Sequence, residues 1–406
     1  LALLAPGLAD EALGAEVEWF GAATVDAGAV RGAGSSFLAG GWGRFGVDGR
    51  SGASEWSGSL GADFGLVWTP SPGLRVVANG LGRLEDDDIE GDAAGLVELF
   101  ADLQRAVGDR HQIGVRAGLF FPATSFENVE RGWHSPYTLT LSAINSWVGE
   151  ESRELGVEAR WTAAVGDGRL TLGGALGGGN DTAGTLLAWR GFSMHDRLTT
   201  LGETIALPRL ASLEDDGIFG VQRDQGTRPL TEDLDGRVGW SSRVGWRDDR
   251  RGVTARLRVA DNRGDRELHG DQYAWRTRTV AAGVGVDRPS GWSILAELLH
   301  GDTGMGTSPH FVDVDFAAGY VLVSRRWDVW RASVRMDRFE TRDRDGSIGE
   351  VSDEDGRAVT VALLRQAGPW RVGLELLALE IDRPSGSGFL DDGDGEIFRL
   401  ELRRSW

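Results

Sequence analysis

Strict alternation of apolar and polar residues, running from about residue 35 to the C-terminus, most restricts what this chain can fold into. In residues 329–338, Trp330, Ala332, Val334 and Met336 share one face, with Arg331, Ser333, Arg335 and Asp337 on the other. Residues 252–259 repeat this with Val253, Ala255, Leu257 and Val259 against Thr254, Arg256 and Arg258. Residues 237–247 set Val238, Trp240, Val244 and Trp246 opposite Arg237, Ser241, Arg243 and Arg247. A helix needs apolar positions three and four apart, and these segments lack them.

The connections alternate in length. Short ones fall at 69–73, 108–110, 166–168, 287–291 and 366–369. Long ones fall at 85–93, 122–153, 207–233, 261–272, 301–311, 342–356 and 383–395. Short turns on one side and long loops on the other mark an all-β, transmembrane, up-and-down antiparallel β-barrel. Strands are expected near 35–47, 55–69, 74–84, 94–107, 111–121, 154–165, 169–178, 184–194, 198–206, 234–247, 252–262, 273–287, 291–301, 312–325, 328–341, 357–367, 370–382 and 395–406. That makes about 18 strands, or 16 if the weakly patterned stretch 184–206 is discounted. Residues 35–406 then form one domain, preceded by an N-terminal segment, 10–34. The apolar start, Leu1 to Ala9, reads as the remnant of a signal peptide.

Composition fits this frame. No run of 18 apolar residues exists, so no membrane-spanning helix is expected, whereas strands that show lipid only every second residue keep hydropathy ordinary. Every basic residue is Arg, and the net charge of -19 argues against a nucleic-acid partner. Many of the 16 Trp residues fall in or near the expected strands and turns, as interfacial residues should. Trp246, Trp292, Trp327 and Trp370 sit beside short turns, where an aromatic girdle belongs.

The chain ends on Phe398-Arg-Leu400-Glu-Leu402-Arg-Arg404-Ser-Trp406. Phe398, Leu400, Leu402 and Trp406 share one face of a final strand. This resembles the terminal signature of outer-membrane barrel proteins, which implies recognition by the barrel-assembly machinery. The departures are Trp where Phe is usual, and Arg404 where an apolar residue is usual. The segment from Arg116 to Gly156 resembles the long third-loop region of general and phosphate-selective porins, which folds into the lumen and narrows it. The resemblance implies a constriction loop at 122–153 carrying Glu127, Asn128, Arg131, His134, Asn145, Glu150, Glu151 and Arg153. The Lys-rich lumen of the phosphate-selective members has no counterpart here.

Arginine dominates the polar face. Arg116, Arg160, Arg243, Arg256, Arg258, Arg276, Arg278, Arg331, Arg335 and Arg371 are expected to line the pore, because a lipid-facing Arg at midplane costs about 2–4 kcal/mol. Rings of Arg favour anions. The acidic clusters at 85–88, 214–216, 353–355 and 391–396 read as solvated loops. No HExxH, phosphate loop or paired metal ligands stand out, and neither cofactor nor metal is expected. His134-Ser135 is the single hint of a hydrolase. The expected function is an outer-membrane porin passing small hydrophilic solutes, anionic or neutral. A non-conducting adhesin or scaffold is the alternative, and a barrel hydrolase the remotest. Expected partners are outer-membrane lipid, lipopolysaccharide, the assembly machinery and further copies in a homotrimer. Removing Trp406, or replacing it by Ala, should lower outer-membrane insertion more than loss of any other Trp. Wild-type surface levels of the truncated chain would refute the terminal signal.

Overall fold

The computed structural model describes residues 16–32, 55–84, 94–205, 207, 210–221, 226–345, 352–384 and 393–406. Among these, sixteen antiparallel strands close into one barrel. They are β1 (Glu16–Gly32), β2 (Glu55–Ser71), β3 (Leu74–Leu84), β4 (Ala94–Val107), β5 (His111–Phe120), β6 (Glu154–Val165), β7 (Gly168–Gly178), β8 (Gly239–Asp248), β9 (Val253–Asp261), β10 (Arg276–Asp287), β11 (Trp292–Thr307), β12 (His310–Trp327), β13 (Trp330–Asp343), β14 (Glu354–Ala367), β15 (Trp370–Asp382) and β16 (Gly393–Ser405). The seam joins β1 to β16, from Ala22 opposite Ser405 to Gly32 opposite Gly395. Both described chain ends therefore lie at the short-turn end, which faces the periplasm in barrels of this kind.

The alternation of the sequence becomes two faces of one wall. Outward positions are apolar and exposed, among them Leu298 (66%), Met336 (61%) and Leu376 (59%). Such a belt is stable only against lipid. Trp292, Trp327, Trp370 and Trp406 ring its short-turn edge, each exposed on the outer surface.

Sixteen strands enclose a lumen wide enough for a water channel. Here two connections fold back into it, residues 121–153 between β5 and β6 and the described residues of 179–238 between β7 and β8. The first carries helix α1 (Ala143–Glu151), capped by Ser142 Oγ accepting from the Asn145 N–H at 3.2 Å. The second carries α2 (Thr185–Arg190). The Glu151 carboxylate accepts the N–H groups of Leu186 (2.9 Å) and Leu187 (3.2 Å), so the first segment caps the helix of the second. Both segments carry apolar side chains that meet inward residues of the wall. One cluster gathers Phe126, Trp147, Phe192, Phe316 and Phe339, and a second Trp189, Leu213, Phe219 and Trp275. Inward glycines make room for this. A Cβ on Gly283 would lie 2.7 Å from the Phe126 ring, and one on Gly373 would lie 2.9 Å from Leu139.

Several expectations change. Sixteen, the lower of the two strand counts, holds because 184–194 and 198–206 form no strand. They lie inside the barrel, buried almost throughout, so they have no wet face to alternate against a dry one. Part of the expected N-terminal segment, residues 16–32, is instead the first wall strand. The expected strand at 35–47, the signal-peptide stretch 1–9 and the acidic cluster 85–88 lie outside the described residues. The expected long loop at 301–311 is two long strands joined by residues 308–309. A closed barrel has no edge strand to fray. Unheated protein in SDS should therefore migrate differently from boiled protein on a gel, and identical migration of folded, detergent-extracted protein would count against closure.

Candidate functional site

The lumen is organised around one guanidinium. Arg335, inward on β13, is fully buried, and all its nitrogens are engaged. Its Nε donates to Asp337 at 2.7 Å, one terminal nitrogen to Glu127 and to the Thr140 carbonyl (2.7 Å), and the other to the Leu141 carbonyl (3.0 Å). Glu127 accepts in turn from the Ser142 N–H (3.1 Å) and from Asn145 Nδ2 (3.0 Å). Two further buried anchors repeat the scheme. Glu375 accepts the N–H groups of Leu139 (2.6 Å) and Thr140 (2.9 Å). Arg399 bridges to Asp196 of the second segment at 2.7 Å and to Asp26 of β1 at 3.4 Å. Glu150 lies between Arg190 and His195. Burial works to raise its carboxyl, but the Arg190 guanidinium and the contact with His195 hold it below the usual range.

Open space is displaced to one side. A vestibule of about 650 Å³ is lined by Arg75, Arg116, Glu98, Arg131 and Arg256, and a second of about 520 Å³ by Asp63, Asp328, Arg331, Arg371 and Arg403. A narrow cavity of about 70 Å³ lies between the inward segments and the wall of β1–β3 and β15–β16. It shares Asp63, Arg371 and Arg403 with the second vestibule and Trp133 with the first. At this narrowing His134 Nε2 meets Asp63 at 2.9 Å, and Arg403 meets the same carboxylate at 3.2 Å.

The expected pore-lining residues divide accordingly. Arg116 and Arg256 face the first vestibule, each lying on aromatic rings, Phe100 at 4.7 Å and Phe126 at 4.4 Å respectively, and neither makes an ion pair among the described residues. Arg160 pairs with Asp102 and Glu158, Arg243 with Glu158 (2.6 Å), Arg258 with Glu154, and Arg371 with Glu401 (2.7 Å). Arg331 lies on Tyr137. Arg335 belongs to the buried anchor, not to a pore wall. Arg276 and Arg278 are placed on the outer face, a correction. Inward Arg258 sits opposite Ala281, so Thr277, Thr279 and Ala281 point inward, and Arg276 and Arg278 share the outward parity of Val280 and Val284. They pair with Asp261 and Asp302 at the long-loop end.

Of the expected constriction residues, Asn128, Arg131 and His134 line open cavities, and Arg131 is held by both oxygens of Glu18 at 2.8 Å. Glu127, Asn145, Glu150, Glu151 and Arg153 are buried and hold the inward segments together. Arg153 donates to the Gly149 carbonyl at 2.7 Å and lies over Phe121. Not anticipated as site residues were Asp63 at the narrowing and the Asp26–Arg399–Asp196 bridge, which link positions hundreds of residues apart. His134 and Ser135 form no nucleophile pair: Ser135 Oγ accepts from the N–H groups of Tyr137 (3.0 Å) and Thr138 (3.2 Å). Among the described residues one three-carboxylate group, Asp181, Asp233 and Asp235, brings oxygens within 4.8 Å. Burial pushes the Asp181 carboxyl up to about 6.

No family model and no curated protein matches the chain. Solved structures do. OmpF of Salmonella typhi in complex with daunomycin is similar with a TM-score of 0.53 at 11% identity, over 96% of this chain and 97% of that one. The outer membrane channel DcaP of Acinetobacter baumannii gives 0.51 at 12%, over 97% and 98%. An anion-selective porin from Comamonas acidovorans gives 0.50 at 11%, over 97% and 100%. The fold is that of the porins, a closed sixteen-strand antiparallel barrel with an apolar outer belt.

Breaking a buried ion pair by removing one partner costs about 3–5 kcal/mol. Arg335→Met should lower the denaturant midpoint for loss of the SDS-resistant form accordingly, and adding Glu127→Gln and Asp337→Asn should restore part of the loss. A single variant as stable as wild type would show that the anchor contributes nothing.

Proposed function

We propose that this protein is a narrow diffusion channel that passes small hydrophilic solutes with a modest preference for anions. The observation that carries this reading is the pair of guanidiniums, Arg116 and Arg256, that face the larger vestibule over aromatic rings and make no ion pair among the described residues, in a lining they share with Glu16, Glu18, Glu98 and Glu130. One Arg acting through water at about 7 Å contributes only about 0.6 kcal/mol, so the preference is small. The narrowing adds Arg371 and Arg403 beside Asp63 and Glu401, while Arg83 and Arg197 are both paired with the buried Glu203. A space of about 70 Å³ holds about five waters, which suits ions and very small solutes and gives a low conductance. The likeness to an anion-selective porin supports testing ion preference first.

A second reading is a non-conducting scaffold or adhesin. It is favoured by the two apolar clusters that occupy the lumen. In either reading lipid and lipopolysaccharide surround the belt, the assembly machinery reads Phe398, Leu400, Leu402 and Trp406, and a homotrimer is the expected assembly, checked by sedimentation in detergent. Planar-bilayer recording separates the readings. Folded wild type should give small current steps. Arg116→Glu with Arg256→Glu should move the zero-current potential in a salt gradient toward cations, with less effect near 1 M salt, where the screening length is about 3 Å. An unchanged preference at low salt would reduce both arginines to wall struts, and the absence of steps would favour the scaffold.

A further inference from the structure

The outer face of β11–β16 carries a repeated pair at its short-turn edge. In three successive hairpin partners a Trp that opens one strand lies directly across from an Arg near the end of the next: Trp292 opposite Arg325, Trp330 opposite Arg365, and Trp370 opposite Arg404. Each guanidinium lies over its indole, at 5.2, 5.7 and 5.5 Å from the ring centroid. Trp327 pairs with Trp330 across β12–β13, and Trp406 extends the row to the seam, its ring covering Gly21. The row is therefore continuous over six strands. Parity fixes it outward, because Arg325 shares a face with Val321 and Val323, and Arg365 with Val359, Val361 and Leu363, all exposed.

The two rims of the barrel treat outward arginines differently. At the long-loop rim the outward arginines of β10, β13 and β14 meet acids: Arg276 with Asp261, Arg278 with Asp302, Arg338 with Asp355 and Arg357 with Glu380. At the short-turn rim Arg325, Arg365 and Arg404 are exposed and make no ion pair among the described residues, although the chain carries a net charge of -19. Asp328, the acid in the β12–β13 turn, lines the inner vestibule. These three guanidiniums thus have no acid partner among the described residues, and they lie at the height where an aromatic girdle meets headgroups.

We propose that the Trp292–Arg325, Trp330–Arg365 and Trp370–Arg404 pairs form a binding row for anionic glycerophospholipid headgroups in the periplasmic leaflet. The indole holds each guanidinium flat against the wall, leaving its donor edge to take a phosphate in a bidentate manner, while the acyl chains run along the apolar belt. The proposal rests on the outer-membrane reading of the barrel.

The test counts lipids retained by the folded protein in maltoside micelles, by native mass spectrometry, after titration with phosphatidylglycerol or with phosphatidylcholine. Wild type should retain phosphatidylglycerol preferentially, with a gain of about five-fold per arginine, as expected for a basic residue at an anionic surface. The triple variant Arg325→Gln, Arg365→Gln, Arg404→Gln should lose the preference, and the triple Lys variant should keep only part of it. Each variant is first checked for heat-modifiable migration, so a failure of the barrel itself is seen separately. Equal retention of both lipids by wild type, or a Gln variant that still prefers phosphatidylglycerol, overturns the proposal. So does a Gln variant that changes the protein's oligomeric mass while leaving its lipid count unaltered, since a second copy would then be the occupant.

Discussion

A buried guanidinium inside a barrel that would otherwise hold water decides what this molecule is. Arg335 reaches from the wall to Glu127 and to two carbonyls of the first inward segment, and Asp337 completes its shell. Dehydrating such a group is expensive, and only a complete set of acceptors offsets it. That requirement makes the docking specific, since a small shift of residues 121–153 would strand the charge. The inward glycines have the complementary role. Gly283 and Gly373 leave hollows that Phe126 and Leu139 fill, so polar anchors and apolar contacts agree on one position.

The filling is uneven around the circumference, and the proposed function follows from this. Apolar wall residues that touch the inward segments cluster on β11–β16, including Leu295, Phe316, Leu322, Phe339 and Leu377. Charged inward residues dominate on β4–β9, where Asp102, Glu158, Arg160, Arg243 and Arg258 brace one another. Open space is left beside β1–β5 in the larger vestibule and beside β13–β16 in the smaller one. Any passage is therefore eccentric, bounded on one side by wall charges and on the other by Trp133 and His134.

The wall was legible because a strand with lipid on one side and a lumen on the other prints its two environments alternately into the chain. The same logic explains where reading failed. Residues 184–200 are enclosed almost throughout, so no period of two was imposed on them. Arg276 and Arg278 were misplaced although their parity with Val280 and Val284 was visible. The expectation that Arg avoids lipid outweighed it, and that expectation applies at midplane, not at the rim where they lie. The inward course of 121–153 was anticipated through resemblance, but the roles within it were not. Glu127 and Arg335 are 208 positions apart, and nothing local to either announces that they meet.

The β11–β12 hairpin carries paired strand well past the apolar band. Its arms have 16 and 18 residues and are joined by a two-residue turn, where neighbouring hairpins break into loops. At about 3.4 Å per residue and a tilt near 40°, the longer arm climbs roughly 45 Å along the membrane normal, against an apolar band of roughly 25 Å. Arg266 buttresses this overhang through the carbonyls of Met305 and Val312, and its own carbonyl accepts the Gly306 N–H at 2.7 Å. Among the described residues the long-loop end thus carries a stiff, hydrogen-bonded crest over β11–β12, ordered backbone up to its two-residue turn.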